Sequence, residues 1–209
     1  MPPFFIGMTV LAIGTDLPEI ANSIVASAAD HGDVNVGDSV GSTATQATLV
    51  LGLLPFFVGS MLVTARGLAA TGWLVVAGLG TIALVTNDGM LARTDALVLI
   101  SLWALGSFVI YRRIRHPHQL SLPEEPSPRL PLVIRTVVAL GFVGASAMLA
   151  LWAIIEVAEE LDVPEFAVSF FLASLGTSLP EMVFTIAAVK RGEVDLAIGD
   201  IFGSSFADA

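Results

Sequence analysis

Gly14-Thr15-Asp16-Leu17-Pro18-Glu19 recurs 162 positions later as Gly176-Thr177-Ser178-Leu179-Pro180-Glu181. The match runs on without a gap: Asp33 falls on Asp195, Gly37-Asp38 on Gly199-Asp200, and Gly41-Ser42 on Gly203-Ser204. Each copy sets a carboxylate, a proline and glycines inside an apolar stretch long enough to cross a bilayer. A repeat at this separation in a hydrophobic chain predicts two related halves with a binding site where they meet.

The composition agrees. Of 209 residues, 55% are hydrophobic and 13% charged, and the mean hydropathy is +0.85, values outside the range of soluble domains. The apolar residues come in blocks of roughly 18–28, the length a helix needs to cross about 30 Å of hydrocarbon. No amino-terminal stretch has the charged start, short apolar run and small-residue site of a signal peptide. Cysteine is absent, which removes disulfides and thiolate chemistry. A net charge of -10 argues against nucleic acid as a partner and fits a protein that attracts cations.

These blocks predict an all-α, polytopic membrane protein with about seven segments, at 3–29, 35–63, 70–87, 92–111, 131–157, 164–189 and 195–209. The seventh reads as truncated, since about fifteen residues make only roughly 22 Å of helix. A linker at 112–130, rich in proline and charge, separates a first half (1–111, with its repeat in about 1–63) from a second (131–209, with its repeat in about 164–209). Glu156, Glu159, Glu160 and Asp162 are expected to form an acidic turn. If the first segment runs outward, Arg66, Arg112, Arg113, Arg115, Arg129, Arg135, Lys190 and Arg191 all fall inside. Only Arg93 then breaks the positive-inside rule, and the linker is cytoplasmic. Five segments separate the starts of the two copies, so they cross in opposite directions.

A carboxylate within hydrocarbon is expensive and usually kept for a function. Glu19 and Glu181 lie near mid-segment, each just after a proline that removes a backbone donor and disfavours helix at the residue before it. The expectation is a broken helix whose freed carbonyls face a cavity. With the hydroxyls of Thr15, Thr177 and Ser178, these groups form a hard-oxygen set suited to calcium. The facing wall would come from Asp38, Ser42 and Gln46, and from Asp200, Ser204 and Asp208, each a stripe at a spacing of four. By helix rise, Asp38 and Asp200 are expected toward vestibules, with helix caps as the alternative, and Gln46 and Asp208 near the centre. Asp33 and Asp195 read as loop or cap residues. His31, His116 and His118 read as loop residues with no specific role, and Trp73, Trp103 and Trp152 as packing or interface anchors.

The paired Gly-Thr-X-Leu-Pro-Glu motifs, each followed by Gly-Asp and Gly-Ser, resemble those of the sodium/calcium exchanger family, within the calcium/cation antiporter superfamily. The resemblance implies ten membrane helices with two inverted repeats, of which this chain would span the second helix to a truncated eighth. It implies that Glu19 and Glu181 bind calcium, that Thr15 and Thr177 offer backbone carbonyls, and that Ser178 serves a sodium site. Ser42 and Ser204 would be the facing hydroxyls, and Asp208 the central polar residue of the second repeat. Three departures stand out: Gln46 where asparagine is usual, Asp16 where the sodium-site serine is usual, and Asp38 and Asp200 in place of an asparagine. Asp16, Glu19, Glu181 and Asp208 around one centre cannot all stay ionised without cations, which favours proton or mixed coupling.

The implied function is secondary active antiport in a prokaryotic plasma (inner) membrane. Calcium, or a similar divalent cation, would exchange for sodium or protons by alternating access, without cofactor or covalent chemistry. The bilayer and the transported cations would be the partners. Two other readings are a passive cation channel and, from the short Gly37-Asp38 and Gly199-Asp200 pairs, an intramembrane aspartyl protease.

Overall fold

The computed structural model describes residues 3–59, 65–113 and 129–209, and all regular structure among them is helical. Residues 60–64 and 114–128 lie outside the described residues. With them lie His116, His118, most of the expected linker and the end of the expected second segment.

Two helices are broken at equivalent points. The first is α1 (residues 3–15) followed by α2 (Leu17–Ala28), and its counterpart is α7 (residues 165–177) followed by α8 (Leu179–Lys190). Between the pieces sit Asp16, at φ -73° and ψ 4°, and Ser178, at φ -79° and ψ 4°. Pro18 and Pro180 occupy the second position of the helix that follows. Having no N–H, they leave the carbonyls of Gly14 and Gly176 without the usual helical donor. Only one residue leaves helical geometry, because Asp16 N still donates to Ala12 O at 2.9 Å and Ile20 N to Asp16 O at 2.9 Å. The break is thus a kink with a released carbonyl. Upstream, each copy widens into a π-turn at the same offset, Gly7–Leu11 in α1 and Ser169–Ala173 in α7. Such turns are rare and concentrate at functional sites.

The remaining elements are α3 (residues 32–58, with a π-turn at Gln46–Val50), α4 (Ala65–Val85), α5 (Arg93–Arg113), α6 (Arg129–Leu161) and α9 (Val194–Asp208). Among the described residues, four runs are long and apolar enough to cross a membrane: Gly32–Phe57, Arg93–Ile110, Gly141–Leu161 and Glu165–Lys190. The expected acidic turn is corrected: Glu156, Glu159 and Glu160 lie in the last turns of α6, and the chain leaves the helix only at Asp162, φ 52°. Alanine and glutamate are good helix formers and carry the helix through the charged stretch.

The direction of each copy follows from side-chain contacts. Asn35 reaches Ser27 and Asn22 reaches Asp38, so α3 doubles back along α2. Against α7, Gly37 faces Phe166 and Gly41 faces Phe170, with both sequences ascending, so α3 and α7 run parallel. The first broken helix therefore runs opposite to the second. The same geometry recurs in the other copy, where Gly199 faces the Phe4 carbonyl and Gly203 the Met8 carbonyl. A Cβ at Gly41, Gly199 or Gly203 would collide with those backbones. Small residues of this kind let membrane helices approach closely. The second helix of each repeat thus packs on the broken helix of the other repeat. Around α9, Ile198, Ile201, Phe202 and Phe206 join Val50 and Leu54 in the larger core cluster, while Phe56, Leu84 and Phe142 point outward as a lipid-facing surface would.

Candidate cation site

Two contacts mark the axis relating the repeats, since residues paired by the 162-residue offset touch each other. Gln46 Nε2 donates to Asp208 Oδ2 at 2.9 Å, and Thr43 Oγ1 donates to the Ser205 carbonyl at 3.3 Å. Ser205 Oγ in turn donates to Gln46 Oε1 at 3.0 Å. Around this axis, each broken helix reaches into the opposite repeat. Thr177 Oγ1 donates to Asp38 Oδ1 at 3.1 Å, and Thr15 Oγ1 to Asp200 Oδ1 at 3.4 Å. Ser42 and Thr177 share a hydroxyl contact at 3.3 Å.

The carboxylates of Glu19 and Glu181 are buried, and none of their four oxygens has a partner at normal hydrogen-bond distance, with only longer interactions from Glu19 to Thr177 and from Glu181 to Asp16. Both oxygens of Asp16 and the hydroxyls of Ser178 and Ser204 are likewise without a partner at normal hydrogen-bond distance, Asp16 and Ser204 interacting only at longer range. Buried polar atoms are nearly always bonded, so this concentration of bare oxygens needs a physical reason, and a bound hard cation supplies one. The acids form one electrostatic group: Glu181 feels the charges of Glu19, Asp16 and Asp200, and Glu19 those of Asp16 and Asp38. Asp208, half-buried, lies within reach of Asp16, Glu19, Glu181 and Asp38. Among the described residues no three acids or histidines are drawn together tightly enough to grip a metal ion by themselves. A single ion here would therefore draw on hydroxyl and carbonyl oxygens as well as carboxylates.

Access lies on both flanks of the first broken helix. A cavity of about 550 Å³ is lined by Asp16, Glu19, Ser23, Ser39 and Asp208, and a second of about 420 Å³ by Pro18, Asn22, Gly176 and Thr177.

Several expectations change. Asp38 and Asp200 are neither vestibular nor caps: both are fully enclosed within their helices and bonded to the threonines of the opposite motif. The cross-repeat packing of α3 on α7 and of α9 on α1 brings them inward. His31 has a specific contact, its Nδ1 lying 2.9 Å from Glu165 Oε2, which ties the turn before α3 to the start of α7. Four polar residues were missed. Asn22 donates to Asp38 Oδ2 at 2.6 Å, Thr43 and Ser205 mark the axis, and Thr185 is enclosed beside Asp200. Thr185 was findable, since it follows Glu181 by four on one helix face.

Fold and site together define a membrane protein of two inverted repeats around a buried acidic centre. The chain matches the sodium/calcium exchanger protein family over residues 1–112 and 131–209 and belongs to that family. It is an integral membrane protein, and its family is one of ion exchangers, not enzymes. It is 32% identical to the inner membrane protein YrbG of Escherichia coli (strain K12) over 98% of its own length, spanning 66% of that relative. It also resembles the sodium-calcium exchanger NCX_Mj, in a structure soaked with 2.5 mM Na+ and 0.1 mM Ca2+, at 28% identity and a TM-score of 0.67; the match covers 100% of this chain and 67% of that one. The H+/Ca2+ exchanger CAX shares the fold at a TM-score of 0.72 and 18% identity, covering 99% of this chain and 60% of that one.

Proposed function

We propose that this chain carries the ion-binding core of a secondary active cation antiporter of a prokaryotic plasma membrane, exchanging calcium or a similar divalent cation for sodium or protons. The observation that carries this reading is the pair Glu19 and Glu181. They are equivalent residues on oppositely directed broken helices, both buried, with no carboxylate oxygen at normal hydrogen-bond distance from a partner. The relatives named as sodium/calcium and proton/calcium exchangers support calcium as the shared cargo and leave both counter-ions in play. Seven helical runs (3–28, 32–58, 65–85, 93–113, 129–161, 165–190 and 194–208) would serve as the membrane segments, with the 112–130 linker in the cytoplasm.

Alternating access follows from competition for the same oxygens. With no cation, several buried like charges face one another, which disfavours an occluded empty state and limits leak. With one divalent or several monovalent ions the centre is neutralised and can be exposed to either side.

Calcium-45 uptake into proteoliposomes of the full-length protein tests the reading. Uptake should require an opposing sodium or proton gradient and should be abolished in Glu19→Gln and Glu181→Gln, which keep side-chain size and one acceptor oxygen. Glu160→Gln, at an exposed position on α6, should behave as wild type. Wild-type flux in either glutamine variant would sink the site, and downhill calcium flux without a counter-ion would mean a channel.

A further inference from the structure

The turn before α3 is fastened across the repeats. His31 Nδ1 lies 2.9 Å from Glu165 Oε2 and 3.1 Å from Oε1, so one ring nitrogen meets both carboxylate oxygens. His31 stands between α2 and α3, and Glu165 is the first residue of α7. Their side chains are 30% and 28% exposed, which leaves the pair in reach of the aqueous phase. One turn along the same seam the Ser169 hydroxyl donates to the Val34 carbonyl at 2.7 Å. Further along, Thr177 meets Asp38 and Ser42 at the candidate cation site. The pair therefore closes the water-exposed end of a seam whose buried end shapes the site.

The matching seam, between α9 and α1, has no such fastening. The 162-residue offset puts Glu193 where His31 stands and Pro3 where Glu165 stands. Gly7 takes the place of Ser169 and lies against the Leu196 carbonyl with no hydroxyl to offer. Because the repeats run in opposite directions, the two turns lie at opposite poles. The fastening belongs to one of them, the pole away from Lys190 and Arg191.

The charges near the pair are mostly acidic. Asp30 and Asp33 flank His31 in its own turn. Glu156, Glu159, Glu160 and Asp162 end α6, whose Ala158 packs with Ala26, Val34 and Val168. Across the cavity that Asn35 shares with Leu91, the α4–α5 connection carries Asp88, Arg93 and Asp95. No lysine or arginine lies within 26–36 or 156–169, so in those stretches His31 alone can bring a positive charge to Glu165. Histidine ordinarily gains its charge as the pH falls through about 6.5, whereas glutamate stays ionised down to about 4.3.

We propose that His31 and Glu165 form a proton-controlled clasp at one membrane face of the protein. Protons on that face turn a neutral hydrogen bond into a charge-assisted one and hold the α2–α3 turn against α7. The hold is strongest between about pH 5 and 6 and weakens toward about pH 8, as the imidazole loses its charge. Since α3 carries Asp38 and Ser42 and α7 carries Thr177, a loosened turn frees the seam to shift where it meets the site. The two are positioning residues, and their action does not depend on which cation is carried.

Hydrogen–deuterium exchange on the purified full-length protein tests the clasp without any ion flux. The amides of His31 and Asn35, bonded to the Ala26 and His31 carbonyls, and those of Ala167 and Val168, bonded to the Pro164 carbonyl, report opening at its two ends. At pH 5.5, His31→Gln and Glu165→Gln should each exchange these amides about two- to fivefold faster than wild type, the size expected of a partly exposed ion pair. At pH 8 all three proteins should exchange alike. The double variant should be no faster than either single one, and Glu193→Gln, at the matching position of the other pole, should follow wild type. An equal loss of protection at both pH values would make the contact a fixed hydrogen bond, and no loss at pH 5.5 would leave it without a hold; either result overturns the proposal. If His31→Gln fails to fold, Glu165→Gln against wild type decides alone.

Discussion

In the first repeat Asp38 is closed on both oxygens, by the Thr177 hydroxyl and the Asn22 amide, whereas in the second Asp200 meets only hydroxyls, those of Thr15 and Thr185. The same imbalance recurs at three other matched positions. Asp16 stands against Ser178, Gln46 against Asp208, and Gly7 against Ser169, whose hydroxyl bonds the Val34 carbonyl at 2.7 Å. The backbone geometry is shared nearly residue for residue, down to the kink, the π-turn and a left-handed residue after each broken helix, Asp30 and Gly192. Duplication preserved the frame, and the charges and donors within it diverged. An inverted pair can thus combine equivalent helices with unequal charges and donors.

The shared frame is the first thing to break. Gly41→Val and Gly203→Val should each prevent assembly of a monodisperse protein, because even a Cβ meets the opposing backbone carbonyl. Overpacking of this kind costs about 1–3 kcal/mol or more. Size-exclusion profiles in detergent check it. A well-behaved variant at either glycine would show that the cross-repeat contact is dispensable.

A smaller effect concerns coupling. Asp16→Ser makes the two motifs identical and removes one acid from the centre. Calcium uptake by the wild type should rise as the pH on the calcium side rises from about 6 to 9, since protons then compete less for the carboxylates. In Asp16→Ser that dependence should flatten and the response to a sodium gradient strengthen. Identical pH profiles and sodium responses in the two proteins would exclude Asp16 from the transport site.

Stability should register the unequal hydrogen bonding. Asn22→Ala strips the amide from Asp38 and leaves a buried acceptor bare, a loss of about 1–3 kcal/mol read as a lower Tm in detergent. An unchanged Tm would mean that the Asn22–Asp38 bond carries no net stability. Smallest of all, Ser169→Ala should cost about 0.5–1.5 kcal/mol, because position 7 manages the same contact with glycine; the same melting assay measures it.

Much of the site was legible because its signals are local. Proline after glycine predicts a kink wherever it falls in a helix, and an acid beside it in an apolar segment marks a place worth solvating. Two copies separated by an odd number of segments must cross in opposite directions. Charge in α6 misled the turn assignment, since helix propensity outweighed polarity there. The inward placement of Asp38 and Asp200 was missed because rise along a helix gives depth on that helix and says nothing of which helix lies beside it.

The sequence by itself therefore determined the helical class, the inverted repeat, the two kinks and the glutamates beside them. These depend on backbone donors, side-chain period and segment length, which act within one or two helical turns. Only the tertiary structure decided that Gln46 meets Asp208 on the axis, that each threonine of the motif binds the aspartate of the opposite repeat, and that Asn22 closes Asp38. The threonine–aspartate pairs join residues 139 and 185 positions apart. They are set by glycine faces pressed against foreign carbonyls, and a close approach of that kind depends on both surfaces at once.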